Sequence, residues 1–226
     1  MKRKQFFAVL IILSLHISCK KSSNESSGPP APVPYMSITT SSTWQYKLDD
    51  NIGATSVNYL ITATDRDTIV GSRTYKVFSN SSTAGSEYYH ISSGNYYNYR
   101  NLGASLGNNK LEILYLKDNL NAGAKWEETF NLTIPGLPLP VSVKLDNTIA
   151  EKGITRTVNG ITYKDVIHVT TYLSSSAIPS SNLTSDIQNY YAPKVGAIET
   201  TYKLNLNYLV IRNIDTKTIL LSADIK

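Results

Sequence analysis

Few residues of this 226-residue chain stand at spacings that chemistry requires. Gly103-Ala104-Ser105-Leu106-Gly107 has the G-x-S-x-G spacing of a nucleophile elbow, in which a serine projects from a strained strand-to-helix turn. The segment that follows, "NNKLEILYL", reads as a strand, so the helix such an elbow needs is missing and Ser105 reads as a loop residue. Asp118-Asn119-Leu120-Asn121-Ala122-Gly123 carries a glycine in sixth place, as a calcium loop does. Leu120 and Ala122 occupy ligand positions there, however, and Thr129 stands where the bidentate glutamate belongs, so the segment reads as a turn. His90 and His168 lie inside Tyr-, Ile- and Val-rich runs with no clustered carboxylate or thiol, which gives no metal spacing. Glu127 and Glu128 are adjacent in a strand pattern, so they face opposite sides of a sheet and cannot jointly flank a glycosidic bond. Nucleophilic catalysis needs a base within reach of the nucleophile, and no local spacing supplies one. The chain therefore reads as non-catalytic, with no metal and no other cofactor.

One reactive group remains. Cys19, the single cysteine, lies in Leu15-His16-Ile17-Ser18-Cys19-Lys20-Lys21, where an apolar run gives way to a polar one. Lys2, Arg3 and Lys4 followed by the apolar run Phe6 to Leu15 have the layout of an export signal. Ten residues at about 1.5 Å each are too short to cross a hydrocarbon core of about 30 Å. Ser18-Cys19 after such a run resembles the lipobox of bacterial lipoproteins in its looser Bacteroidota form, with His16 where the pattern prefers Leu. The resemblance implies a signal over residues 1–18 and an acylated Cys19 as the mature N-terminus. An unpaired thiol is disfavoured in an oxidising compartment, which fits acylation. Each buried CH2 of an acyl chain contributes about 0.8 kcal/mol, so two or more chains make a lasting membrane anchor. Lys20 and Lys21 replace the aspartate that retains enterobacterial lipoproteins at the inner membrane, which implies the outer membrane. Only Glu25 stands near Cys19 where surface export resembles an acidic cluster, so the periplasm-facing leaflet is favoured over the outer face.

Residues 19–34 include "KKSSNESSGPPAPVP", a Ser-, Gly- and Pro-rich linker that cannot bury a core. Removing Lys2, Arg3 and Lys4 from a formal charge of +5 leaves +2, and no basic run survives that would imply nucleic acid as a partner.

The elements that would have to position any site lie in residues 35–226, long enough for one sizeable core. Sixteen tyrosines with many Thr, Val and Ile, and turn residues at short intervals, predict an all-β domain. Strands are expected at Trp44 to Leu48, Ser56 to Ala63, Thr74 to Phe78, Glu87 to Ile91 and Tyr96 to Tyr99. Further strands are expected at Leu111 to Leu116, Lys125 to Leu132, Val141 to Leu145, Tyr163 to Tyr172 and Glu199 to Ile211. Ser93-Gly94-Asn95 and Asn213-Ile214-Asp215-Thr216 read as hairpin turns, and a short helix is expected around Leu183 to Asn189. So many strands in one domain must curl or stack, which predicts a single antiparallel, strongly curved sheet, or a partly closed barrel or sandwich. A weak internal repeat shows in the order Trp, Gly with a following Tyr-Lys, then Tyr-Tyr, and reads either as an internal duplication or as convergence on good hairpin chemistry. Trp44, Gly71 and Tyr88-Tyr89 are echoed by Trp126, Gly160 and Tyr190-Tyr191.

Tyr190-Tyr191-Ala192-Pro193-Lys194-Val195-Gly196-Ala197-Ile198-Glu199 resembles the closing section of uncharacterised Bacteroidota lipoproteins, where a "YYAKGVGLI" run enters the last long strands. Pro193 and Lys194 depart from that run. The likeness implies an envelope protein and no particular activity. Two features remain as ligand or partner contacts. One is the apolar, proline-interrupted "IPGLPLPV", which contains Leu137 and Leu139 and either caps a barrel end or meets a partner or lipid. The other is the tyrosine ribbon at Tyr88, Tyr89, Tyr96, Tyr97 and Tyr99, where Tyr89, Tyr97 and Tyr99 fall on faces that need not all be buried. Two functions follow as expectations. The first is a membrane-anchored, non-catalytic binding or scaffold module for an envelope protein or glycan, its interior filled by side chains such as Trp44, Trp126, Phe78 and Leu114. The second is a periplasmic carrier of an apolar ligand, whose inward positions would be uniformly apolar and leave a cavity.

Overall fold

The computed structural model describes residues 33–82, 85–104, 107–136, 138–207 and 213–226, so Cys19, Ser105 and Leu137 lie outside the described residues. Alternation of inward and outward side chains produces twelve strands. The first six are β1 (Thr43–Asp50), β2 (Thr55–Val70), β3 (Arg73–Asn80), β4 (Ser86–Ser92), β5 (Asn95–Asn101) and β6 (Lys110–Lys117). The second six are β7 (Lys125–Leu132), β8 (Val141–Val158), β9 (Ile161–Ser175), β10 (Leu183–Ala192), β11 (Gly196–Leu206) and β12 (Ile214–Asp224). All described pairings are antiparallel, in the order β6-β5-β4-β3-β2-β1-β12-β11-β10-β9-β8-β7. The result is one nearly closed barrel, as the all-β reading expects. Two of its tight turns are set by residues with positive φ. Ser93-Gly94 (φ 50° and 76°) and Asn159-Gly160 (φ 49° and 77°) each place two consecutive residues in the left-handed region, the geometry of a two-residue hairpin.

The sheet consists of two six-stranded meanders joined where the first strand pairs with the last. The weak repeat falls on this division strand for strand. Trp44 and Trp126 lie on β1 and β7, Gly71 and Gly160 turn the second strand of each meander into its third, and the tyrosine pairs lie on β4 and β10. The β1–β12 ladder runs from Thr43↔Asp224 to Asp50↔Thr216.

The other seam, between β6 and β7, is closed by side chains. Trp126 Nε1 donates to the Leu114 carbonyl at 2.8 Å, and the Leu114 N–H donates to the Glu128 carboxylate at 2.9 Å. Two side chains of β7 thus satisfy both backbone groups of one residue of β6. Asn109 does the same for Thr133, donating to its carbonyl at 2.9 Å and accepting from its N–H at 3.1 Å. The edges of a sheet normally leave such groups unpaired.

Three corrections to the sequence reading follow. Leu183 to Asn189 is not helical but forms most of β10, preceded by a single 3-10 turn at Ser180–Asn182. Its buried Leu183 and Ile187 stand four residues apart, a spacing that fits one face of a helix and one face of a strand equally. The strand expected to reach Ile211 ends at Leu206, where Asn213 Oδ1 accepts the Leu206 N–H at 2.8 Å. Ile214 to Thr216, expected to turn, already belongs to β12.

The main core gathers around Trp44, Phe78, Leu116, Ile149, Ile198 and Leu220, and includes Tyr35 and Met36 from the segment before β1. Leu220 is fully buried on the strand that closes the sheet. Leu220→Ala is expected to cost about 2–5 kcal/mol in urea unfolding. Val57→Ala, at an exposed position of β2, should stay within about 0.5 kcal/mol of the parent.

Glu128 makes the seam pH-dependent. Burial pushes its carboxyl up to about 7, against the pull of the Leu114 N–H, and the neighbouring Glu112 adds to the rise. The second carboxylate oxygen, Oε2, is buried without a partner among the described residues. A carboxyl whose folded pKa lies above its unfolded value stabilises the fold most at low pH. That contribution is lost as pH rises from the unfolded value of 4.5 through about 7. Glu128→Gln keeps the acceptor for Leu114 and removes the charge. It should melt with the parent below pH 4.5 and above it at pH 8, as thermal unfolding across pH would record.

Candidate ligand site inside the barrel

The chain enters the domain at one end of the barrel and plugs it. Met36 forms an isolated antiparallel bridge with Val195. The Tyr35 N–H donates to the Tyr96 phenol at 2.7 Å, and the Tyr35 hydroxyl donates to the Asp165 carbonyl at 2.5 Å. Trp44 Nε1 and the Tyr46 hydroxyl donate to the carbonyls of Val195 and Ala197 at 2.7 and 2.9 Å, which ties β1 to the start of β11. Gly196 has a φ of +88° and packs against Met36, so the chain bends at this glycine as it enters β11.

Above this floor lies a cavity of about 540 Å³. It extends from Met36, Val195 and Gly196 toward the connections at the opposite end of the strands. There two small apolar clusters line it, one of Leu132, Ile134 and Val141, the other of Ile178, Leu183, Leu204 and Leu206. Ile134 and Val141, which begin and end "IPGLPLPV", are thus built into the barrel end, in keeping with a capping role for this segment. Leu139, between them, is 74% exposed.

The cavity wall has two characters. On β7 to β12 it carries an aliphatic surface, with Val143, Leu145, Leu173 and Leu204, beside Thr171, Asn189, Glu199 and Asn147, whose amide nitrogen has no partner among the described residues. On β1 to β6 it is aromatic and polar, with Tyr46, Tyr59, Tyr89, Glu87, Asn98 and Arg100. Burial raises the Tyr46, Tyr89 and Tyr115 phenols well above 10 and pushes Tyr59 up to about 12. These groups stay neutral and can both donate and accept. The Arg100 guanidinium opposes the effect of burial at Tyr59, Tyr89, Tyr115, Tyr191 and Tyr202, so its charge is felt across the interior. The interior is therefore not the uniformly apolar lining that the carrier reading expects.

The expected contact residues separate. Tyr89 faces inward, where its hydroxyl bonds the Glu87 carboxylate and its ring meets Phe78 edge-on at 4.9 Å. Tyr97 and Tyr99 face outward and are engaged with neighbours. Arg73 lies 4.2 Å above the Tyr97 ring, and Tyr99 packs on Tyr75 and Tyr88 at 6.1 and 5.9 Å. His90 and His168 are also on the outer face. His90 bonds the Thr74 carbonyl at 2.8 Å, and His168 bonds Glu151 and Gln188 while stacking on Tyr190 at 4.2 Å. In the loop with calcium-like spacing, Lys152 Nζ donates to the Asp118 and Leu120 carbonyls at 2.7 Å each, so the chain's own ammonium occupies it. Among the described residues no three metal-ligating side chains cluster. Arg100 and Glu87 are the interior groups that sequence reasoning missed. The signal was the alternation in "NYYNYRN", which places Arg100 on the same face as Tyr96 and Asn98.

No protein-family model matches the chain, and no curated protein matches it by sequence. Among solved structures it is similar to a "putative lipoprotein" of Parabacteroides distasonis, with a TM-score of 0.50 and 12% identity over 85% of this chain and 99% of that one. It also aligns with a "putative exported protein with YmcC-like fold" of Bacteroides fragilis, with a TM-score of 0.39 and 9% identity over 85% of this chain and all of that one. At 12% identity the first likeness is one of fold, and it spans nearly the whole of both domains.

Proposed function

We propose that this chain is a lipid-anchored protein of the bacterial cell envelope that binds, without transforming, a largely apolar ligand inside its barrel. The cavity of about 540 Å³ carries this reading. Its size lies within the roughly 300–1,000 Å³ of pockets that enclose small organic ligands. Trp44 and Phe78 pack against each other at 5.6 Å and still leave the space open. That favours a carrier over a scaffold whose interior is filled. A module presenting its outer tyrosines to an envelope protein or glycan is the second reading. It is disfavoured because Tyr97 and Tyr99 are already engaged with Arg73, Tyr75 and Tyr88. Non-catalytic binding is supported by histidines that are hydrogen-bonded on the outer face, away from the cavity.

The placement rests on the export signal, the lipobox-like Ser18-Cys19 and the linker. Lys20 and Lys21 favour the outer membrane, and the lack of an acidic cluster after Cys19 favours its periplasmic leaflet.

Filling the cavity tests the binding site. The fluorescence of anilinonaphthalene sulfonate should rise on adding the mature chain. Leu145→Trp should weaken that binding at least about tenfold, a loss of about 1.4 kcal/mol. Ile69→Trp, at a position 74% exposed, should leave it unchanged. Equal binding by all three proteins would place the probe elsewhere. The anchor has its own test: Cys19→Ser should move the protein from the membrane fraction to the soluble periplasmic fraction, and unchanged fractionation would mean that another feature holds it.

A further inference from the structure

We propose that the ligand is an anionic amphiphile whose headgroup is held by Arg100, with its apolar body against the aliphatic wall of β7 to β12. This rests on the barrel interior being the ligand site and adds the chemical class of what binds there.

The argument begins with the direction of one side chain. On β5 the inward residues are Tyr96, Asn98 and Arg100, the first two almost completely buried. Arg100 lines the cavity yet is itself exposed, so water reaches the interior at its position. Its Nε donates to Asn98 Oδ1 at 2.6 Å, which fixes the base of the guanidinium. Among the described residues no carboxylate lies within ion-pair distance of it. This sets Arg100 apart from Arg73 and Arg156, which are paired with Glu112 and Glu199.

The interior carboxylate of the neighbouring strand does not fill the gap. Glu87 accepts from the Asn80 amide on one oxygen and from the Tyr89 hydroxyl on the other. Arginine keeps its charge at any physiological pH, so it cannot escape an apolar surrounding by losing a proton. Because Arg100 is exposed, water solvates this charge, and a ligand that covered it without an anionic group would leave it buried and unpaired, which is costly. A guanidinium with its terminal N–H groups free matches a carboxylate or phosphate bidentately. The facing wall offers Val143, Leu145, Leu173 and Leu204, which suit hydrocarbon, beside neutral Asn147, Thr171 and Asn189 and a Glu199 already paired with Arg156 and Lys217. One cation among neutral phenols and amides on one side of the cavity, with Glu87 already hydrogen-bonded, and an aliphatic surface on the other fit a ligand with a single anionic end.

The test compares three probes with the same chain length on the mature chain carrying Cys19→Ser: palmitate, hexadecyl phosphate and hexadecanol, by displacement of a bound fluorophore. The parent should bind at least one of the two anions about tenfold or more tightly than the neutral alcohol, as a charge-assisted pair implies. The stronger of the two anions identifies the headgroup. Arg100→Gln should bring the anion down to the affinity of hexadecanol while hexadecanol itself binds as before, which also shows that the variant is folded. Arg100→Lys should restore part of the preference. If the parent binds the alcohol as tightly as both anions, or if Arg100→Gln keeps the preference, the headgroup assignment is overturned and the cavity reading stands. If none of the three binds, the cavity reading falls and this inference falls with it.

Discussion

The barrel depends on the pairing of β1 with β12, the first and last strands of the domain. Every other described ladder joins strands adjacent in sequence, so each meander can form locally, but only this ladder makes one sheet of the two. The entropy of closing so long a loop grows only with the logarithm of its length, so the cost falls more on folding speed than on stability. The side chains around the ladder reinforce it. Trp44 and Leu220 are buried beneath it, and the bonds from Trp44 and Tyr46 to Val195 and Ala197 anchor β1 to the turn and strand beyond its partner.

The second seam shows a different solution to the same edge problem. β6 and β7 face each other without a backbone ladder, and Asn109, Trp126 and Glu128 supply the missing donors and acceptors from side chains. A ladder would fix the spacing of these strands at the usual 4.7–4.9 Å, whereas side-chain bridges allow a wider gap. Glu128 is the weak member, because its carboxyl is buried with one oxygen unpartnered.

The cavity follows from strand number. A barrel of about eight strands is just wide enough for side chains to fill or for one small ligand, and diameter grows with each added strand. With twelve strands even a wall rich in tyrosine and tryptophan leaves space. Tyrosine suits such a wall because its ring packs while its hydroxyl finds a partner, as Tyr35, Tyr46, Tyr89 and Tyr96 each do. Tyr35 and Met36 form the floor at one end, and the connections that carry Ile134 and Ile178 line the other.

The sequence by itself determined the all-β character, because period-two alternation and closely spaced turn residues are local patterns, and the proposed export signal, lipobox-like cysteine and linker rest on local composition in the same way. The strand at Lys125 to Leu132 is read to the residue for this reason. Where the local pattern was degenerate the reading failed, as at Leu183 and Ile187, whose spacing serves helix and strand alike. Only the tertiary structure decided which face of each strand is inside. Tyrosines occur on both faces, so alternation separates Tyr89 from Tyr88 and Arg100 from Tyr99 without saying which member of each pair meets the interior. The cavity and the guanidinium within it, without an ion-pair partner among the described residues, arise from strands far apart in the chain. Their contacts depend on closure at β1 and β12, which no local pattern encodes.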